Sequence, residues 1–231
     1  MTDWHSHVLP AMDDGSRDVS ESIALLRMLS KQGVDTVIAT PHFYPNRESV
    51  ESFLSRRESS QSSLKPYLTE DLPRIVAGAE VLYYEGISKL SGLYSLCIGD
   101  TGLLLLEMPI ARWSEYTVRE LVRISGMKGI TLVLAHVERY LHLQSDEAVD
   151  TLYDNGILMQ VNASFFCELW TRRTAISMLY NRGIHFIGSD CHNLTSRPPR
   201  LSRAFDYIEK RLGKEFLSQL SDKGNAFLAS K

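Results

Sequence analysis

Residues 129–140 read Gly-Ile-Thr-Leu-Val-Leu-Ala-His-Val-Glu-Arg-Tyr. Within them Ile130–Ala135 is apolar at every position but Thr131. A strand of that kind buries both faces and belongs to a parallel sheet, since a half-exposed antiparallel strand would alternate. Gly129 separates it from a helix-like stretch, Glu115–Met127, and glycine supplies the left-handed turn that ends a helix at little steric cost. His136 stands at the strand's C-terminal end.

The same unit recurs outward in both directions. Apolar runs occupy Val34–Ala39, Arg74–Ala79, Leu103–Met108, Ile157–Asn162 and Ile184–Gly188, with a shorter one at the N-terminus. Helix-like segments fall at Glu21–Lys31, Glu48–Leu64, Ser145–Asn155, Thr171–Arg182 and Leu201–Leu212, and Lys214–Ser230 reads as one or two short closing helices. Gly33, Gly156 and Gly183 hold the place that Gly129 holds. Seven alternating units, with no linker and no internal repeat, predict one α/β domain over residues 1–231. Its form is expected to be a closed barrel, with an open doubly wound sheet as the alternative.

Composition narrows the function classes. A net charge of −3, with Lys and Arg scattered, lacks the massed positive charge of a nucleic-acid binder, so no nucleic-acid partner is expected. No apolar run reaches the length of a membrane span, and the start Met-Thr-Asp-Trp-His-Ser-His is not a secretory signal. Three cysteines are too few and too irregular for a disulfide framework. The expected compartment is the cytoplasm, without membrane insertion.

The strand ends carry the chemistry. The first run ends in His5-Ser6-His7 with Asp13-Asp14-Gly15 beyond, the second leads into Thr40-Pro41-His42, and the third ends in Gly78-Ala79-Glu80. Glu107, His136, Asn162 and Asp190-Cys191-His192 end the other four. Taken singly, each is an ordinary structural histidine, helix cap or turn. Together they place a polar donor at every C-terminal strand end, the face on which α/β barrels and open sheets build their sites. Imidazoles and carboxylates in this number suit first-row divalent ions and exceed what one tetrahedral ion needs, so two or three ions are expected. His142 and His185 fall outside the pattern and read as structural.

These residues also resemble a family. His5-Ser6-His7, Asp14-Gly15, Thr40-Pro41-His42, Gly78-Ala79-Glu80, His136-Val137-Glu138-Arg139-Tyr140, Ser189-Asp190-Cys191-His192-Asn193 and Ser196-Arg197-Pro198-Pro199 are similar to the motifs of the PHP (polymerase and histidinol phosphatase) superfamily. Within it they most resemble the bacterial metal-dependent protein tyrosine phosphatases of capsule and exopolysaccharide gene clusters. The resemblance implies a distorted TIM-like (β/α)7 barrel holding three divalent ions, usually manganese, with iron, zinc or cobalt acceptable to the same donors. It assigns His5, His7, Glu80 and Asp190 to one ion, and Glu80, Glu107 and His136 to a second. Asp14, His42 and His192 fall to a third. It also implies a phosphotyrosine protein as substrate, namely a tyrosine autokinase that controls polysaccharide synthesis.

Arg139 and Arg197 are then placed to clamp the phosphate with forked hydrogen bonds. Phe43, Tyr44, Tyr83 and Tyr84 lie just past ligand strands and are candidates for the mouth of the site. Three rival readings stand beside this one. Cys191-x5-Arg197 has the spacing of a cysteine-dependent phosphatase, but Cys167-x5-Arg173 has it too, and neither stretch is a glycine-rich cradle. A histidinol-phosphate phosphatase or nuclease would use the same ligands, and a scaffold could retain them without turnover.

Overall fold

The computed structural model describes residues 1–181 and 183–229. The seven expected strands are present as nine pieces: β1 (Thr2–Ser6), β2 (Thr36–Ala39), β3 (His42–Phe43), β4 (Arg74–Ala77), β5 (Glu80–Leu82), β6 (Leu103–Glu107), β7 (Thr131–Leu134), β8 (Leu158–Asn162) and β9 (Phe186–Gly188). Two staves of the barrel are broken. β2 and β3 are halves of one, parted at Thr40-Pro41, where proline has no N–H for the ladder. β4 and β5 are halves of the next, parted at Gly78-Ala79. Gly78 N donates to Ala39 O at 2.8 Å and Glu80 N to Pro41 O at 3.0 Å, so the kinked staves stay joined across their breaks.

Every strand pairing is parallel, in the orders β4-β2-β1 and β3-β5-β6-β7-β8-β9. Beyond β9 the chain returns to β1: Asp190 N donates to His5 O at 2.8 Å and His7 N to Cys191 O at 3.0 Å. A bridge between Ser6 and Cys191 completes that seam. The sheet therefore curls round into a distorted TIM-like barrel, and the open-sheet alternative is set aside.

The helices are α1 (Val19–Lys31), α2 (Val50–Leu64), α3 (Glu115–Ser125), α4 (Asp146–Asp154), α5 (Ser164–Cys167), α6 (Arg172–Asn181), α7 (Leu201–Leu212) and α8 (Lys214–Ala229). Asp18, Ser49, Ser114 and Ser145 each accept a backbone N–H of the first turn of the helix they precede. Such caps are worth about 1 kcal/mol each and explain why α2 and α4 start later than the apolar pattern alone implies. The closing segment is one helix. The expected helix ends Arg182 and Ser230 lie outside the described residues. The four residues of α5 are too few for a period to show in sequence.

The barrel interior has two layers. The lower one is apolar: Trp4, Ile38, Leu103, Leu105, Val133, Ala135 and Phe186 pack together, with Phe227 and Leu228 of α8 against them. Above it, the inward positions become polar at Gln160, Asn162, Glu80 and the strand-end histidines, nearly all of them buried. A bulge in β1 makes this stacking possible. Asp3 and Ser6 pair with Val37 and Ala39, so Trp4 and His5 together oppose Ile38 alone. A bulge re-aims side chains, and here two consecutive residues serve the two interior layers, Trp4 in the apolar one and His5 in the polar one.

Candidate metal centre

Nine of the sequence-chosen residues converge at the C-terminal mouth. Glu80, at the start of β5, is the hub. Its Oε2 lies 3.2 Å from His5 Nε2, 3.3 Å from His7 Nε2 and 3.0 Å from His42 Nδ1. Its Oε1 lies 2.8 Å from His136 Nε2, which is also 3.4 Å from Glu107 Oε1. On the β9 side, Asp190 Oδ1 stands 3.8, 3.5 and 3.6 Å from His5 Nε2, His7 Nε2 and His192 Nδ1. Asp14 reaches in from the β1–α1 loop, 3.6 Å from His42 Nε2 and 3.5 Å from His192 Nε2. Its side chain is 67% exposed while Glu80 is 1% exposed, so the cluster is open on the Asp14 side and closed beneath.

Two observations test whether these residues fit divalent cations. The first is spacing. Donors bound to one ion at about 2.1 Å stand roughly 3.0–3.4 Å from one another. The His5 and His7 Nε2 atoms are 3.2 Å apart, and both keep the distances to Glu80 given above. The second is satisfaction. Glu80 Oε2, His42 Nδ1 and His192 Nε2, all facing the cluster, are buried and make no hydrogen bond among the described residues. Buried polar atoms without partners are costly, and a cluster of them in one place calls for an ion. His5, His7 and Asp190 form one compact donor group, and His42, Glu80 and Glu107 another. His7, His42 and His192 form a third, and Asp13, Asp14 and His42 a fourth.

Among the residues that orient these donors, sequence reasoning missed Gln160 and placed Asp13 and Asn162 at the strand ends without giving them this role. Asp13 accepts from His7 Nδ1 at 2.7 Å and from the backbone N–H groups of His42 (2.8 Å) and Gly15 (2.9 Å). That turns His7 Nε2 inward and ties the β1 loop to β3. Gln160 does the same for the His5 ring and anchors the backbone of His136. Its Oε1 is 3.2 Å from His5 Nδ1 and accepts from His136 N at 2.7 Å. Asn162 donates to Asp190 Oδ2 at 2.8 Å. Partners of this type fix the tautomer and aim of a metal-binding imidazole. Gly188 and Gly15 supply the room: a Cβ at Gly188 would lie 2.4 Å from His5 Cβ, and one at Gly15 would lie 2.5 Å from His7 Cβ.

Backbone and electrostatics both carry the mark of a built site. His136 and Asp190 hold left-handed φ values of 35° and 51°, although neither is glycine. Strain of this kind, of order 1–3 kcal/mol per residue, persists where the surroundings over-determine it. Burial alone would depress the His7 imidazolium, yet Asp13, Asp190 and Glu80 outweigh it and hold His7 well above the usual range. Burial likewise opposes the charged form of Glu80, but the surrounding histidines hold it ionised, well below the usual carboxylate range. His192 goes the other way. Burial and the neighbouring His7 push it down to about 4, so it is a neutral donor at pH 7.

A family model described as "Capsular polysaccharide synthesis, CpsB/CapC" matches residues 1–228. The chain belongs to the CpsB/CapC family. It is 33% identical over 236 residues to the tyrosine-protein phosphatase CpsB of Streptococcus pneumoniae, covering 95% of this chain and 94% of that one. It is 28% identical over 244 residues to the tyrosine-protein phosphatase YwqE of Bacillus subtilis (strain 168), covering 100% and 92%. Its fold matches a chain from the crystal structures of YwqE and CpsB, "unique metal-dependent tyrosine phosphatases", with a TM-score of 0.85 at 24% identity, over 100% of this chain and 95% of that one.

In this CpsB/CapC chain the two chosen arginines meet on one carboxylate. Arg139 Nη2 donates to Asp190 Oδ2 at 2.6 Å, and Arg197 Nη2 lies 3.0 Å from both Asp190 oxygens. Arg197 also stands 3.7 Å from Asp14. Both line a pocket of about 220 Å³ with Asn162, Ser164, Ser196 and Arg200, and their side chains are 35% and 41% exposed. The aromatic candidates separate. Phe43 is core, packed on Phe53, and Tyr83 donates to Glu120 at 2.9 Å. Tyr44 does border the cluster, stacked on His42 with ring centroids 5.2 Å apart. Cys191 is fully buried and its thiol is pushed up to about 12 by burial, which denies it the thiolate that the cysteine-phosphatase reading needs. His185 accepts from Met159 N at 3.1 Å, as a structural histidine. No helix among the described residues is long and apolar enough to cross a membrane.

Proposed function

We propose that the chain is a metal-dependent protein tyrosine phosphatase. Its ions would be held by His5, His7, Asp14, His42, Glu80, Glu107, His136, Asp190 and His192. The observation that carries this reading is the Glu80 carboxylate, buried among four imidazoles with one oxygen lacking any hydrogen bond among the described residues. The family resemblance allots these donors to three ions with Glu80 shared between two: His5, His7, Glu80 and Asp190; Glu80, Glu107 and His136; Asp14, His42 and His192. The compact groups support the first set and the closeness of Glu80 to Glu107, and they also bring His42 beside those two carboxylates. Nitrogen and oxygen donors without thiolate suit manganese, and also iron, zinc or cobalt.

Divalent cations in such a set supply Lewis acidity and neutralise the charge spread over the phosphoryl oxygens during transfer. The chain's own residues do the rest. Arg139 and Arg197 are held by Asp190 before substrate arrives, and both line one pocket, where the N–H groups not spent on Asp190 are available to grip a phosphate. Asp13 and Gln160 keep two histidines aimed, and the apolar layer beneath excludes water from that side of the cluster.

The names of its relatives support a phosphotyrosine protein as substrate, and the family description places it in capsular polysaccharide synthesis. On this reading the partner is a tyrosine autokinase controlling capsule or exopolysaccharide synthesis, met in the cytoplasm. The test is phosphate release from a phosphotyrosine peptide, histidinol phosphate and p-nitrophenyl phosphate, after chelation and after add-back of single metals. Turnover of the aryl phosphates restored by manganese is the expected result. No turnover of either aryl phosphate with metals restored would refute the reading.

A further inference from the structure

Next to the metal centre lies a second depression, of about 310 Å³, that shares no lining residue with the arginine pocket. It is lined by Asp13, Asp14, His42, Tyr44, Arg47, Glu48 and Arg56, with Met12. Most of its charges are already committed. Asp13 is held by His7, and Glu48 is gripped by Arg56 through two contacts of 3.1 and 2.7 Å. Asp14 faces His42 and His192. Arg47 is the exception. Its guanidinium lies 4.6 Å over the ring of Tyr44 and has no carboxylate at ion-pair distance among the described residues. The turn beneath it is fixed by Arg47 N donating to Tyr44 O at 2.9 Å, and the Tyr44 ring stacks in turn on His42. A cation is thus mounted on an aromatic face, with the single ring of Tyr44 between it and the candidate metal-donor imidazole of His42, and with no carboxylate paired to it among the described residues.

We infer that Arg47, seated on Tyr44, selects substrate polypeptides that carry an acidic side chain beside the phosphotyrosine. The inference rests on the phosphatase reading and specifies its substrate class. A phosphate held by Arg139 and Arg197 lies on the Asp190 side of the centre, so flanking residues of the same peptide can cross the mouth towards His42 and the depression. Stacking on Tyr44 leaves the edge of the guanidinium free for forked hydrogen bonds to a carboxylate. Glu48 does not oppose this, because Arg56 neutralises it.

The test uses two phosphotyrosine peptides of equal length, one with Glu on both sides of the phosphotyrosine and one with Ala. They are assayed on the same metal-loaded preparation, so that their ratio of kcat/KM is independent of metal content. The wild-type chain is expected to favour the acidic peptide by about twofold to fivefold, mostly through KM, as befits one partly exposed ion pair. Arg47→Glu is expected to invert the preference, Arg47→Lys to keep part of it, and about 1 M salt to abolish it in the wild type. Equal kcat/KM for the two peptides in the wild type, or a preference unchanged by Arg47→Glu, overturns the inference while the phosphatase reading stands. No turnover of either peptide removes both.

Discussion

Glu80 Oε2 and His42 Nδ1 face each other across 3.0 Å inside the barrel mouth, and neither atom makes a hydrogen bond among the described residues. A carboxylate oxygen and a ring nitrogen that close, both buried, are stable only if a cation lies against both or the nitrogen carries a well-directed proton. The geometry here lacks the directed proton. Glu80→Gln keeps the shape but removes the charge that the surrounding histidines hold ionised. The expected outcome is loss of metal from the purified protein and a fall in phosphatase turnover of at least about 100-fold. Elemental analysis and p-nitrophenyl phosphate hydrolysis read the two effects, and full metal occupancy in the variant would contradict the hub role.

Arg139 and Arg197 converge on Asp190 but are only partly buried, so removing one should spare the fold. Arg197→Ala is expected to raise KM for aryl phosphates by about 10- to 100-fold, the worth of a charge-assisted hydrogen bond to phosphate. Metal content should stay near that of the wild type, because Arg139 still holds Asp190 at 2.6 Å. Arg197→Lys should restore charge without the planar fork and recover only part of the loss. An unchanged KM in Arg197→Ala would remove it from phosphate binding.

Much of this site is legible in residue order. Donors to divalent ions are uncommon, and a parallel barrel delivers every strand end to one face, so His5 through His192 stand out without a structure. Their supports do not. Asp13 and Asp14 are adjacent, and no spacing rule says that one holds His7 while the other faces His42 and His192. Gln160 does carry a usable signal: an amide inside the apolar run Ile157–Asn162 must find partners once both faces are buried. The bulge that puts Trp4 and His5 on the same side breaks period-two alternation, so alternation alone cannot foresee it. Of the two strand breaks, Pro41 is visible in sequence, whereas the need for glycine at Gly78 shows only in three dimensions, where a Cβ would stand 2.9 Å from Ile98 Cγ1.

Gly188 is the tightest approach beneath the centre. A Cβ there would meet His5 Cβ at 2.4 Å and His5 N at 2.8 Å, both on the β1 stave and neither free to swing away. Gly188→Ala is therefore expected to push β9 from β1 and to cost about 1–3 kcal/mol, the usual range for overpacking. In a chain of 231 residues that corresponds to a Tm lower by roughly 2–12 °C. Metal affinity should fall with it, because His5 moves. Gly156→Ala makes a useful comparison, since it carries a φ penalty at +67° but meets nothing within 4 Å among the described residues. Calorimetry of the metal-loaded variants should show Gly188→Ala as the more damaging of the two and as the one that loses metal.

The histidines also predict how stability depends on pH once metal is stripped. Burial alone would lower the His136 pKa, but Glu107 and Glu80 outweigh it and raise it to about 9. His7 and His42 are raised as well, against burial, by the carboxylates beside them. An imidazolium whose folded pKa exceeds its unfolded value of about 6.5 stabilises the fold fully below that pH and loses its contribution as pH climbs through the folded pKa. For His136 alone the loss between pH 6.5 and 9 is about 3 kcal/mol. His192, pushed down to about 4, and Asp3, pushed up to about 6 by burial, titrate below this window and do not offset it. The chelated protein should therefore show a Tm that falls from pH 6.5 to 9. Bound cations take the place of those protons, and their affinity rises as the competing protons leave, so the gap in Tm between manganese-loaded and chelated protein should widen with pH. Calorimetry at pH 6.5, 7.5 and 9, with chelator and with manganese, checks both trends. A chelated Tm that stays level or rises over this range would mean that Glu80 and Glu107 do not hold a proton on His136, and with it would go the electrostatic case for a cation site between them.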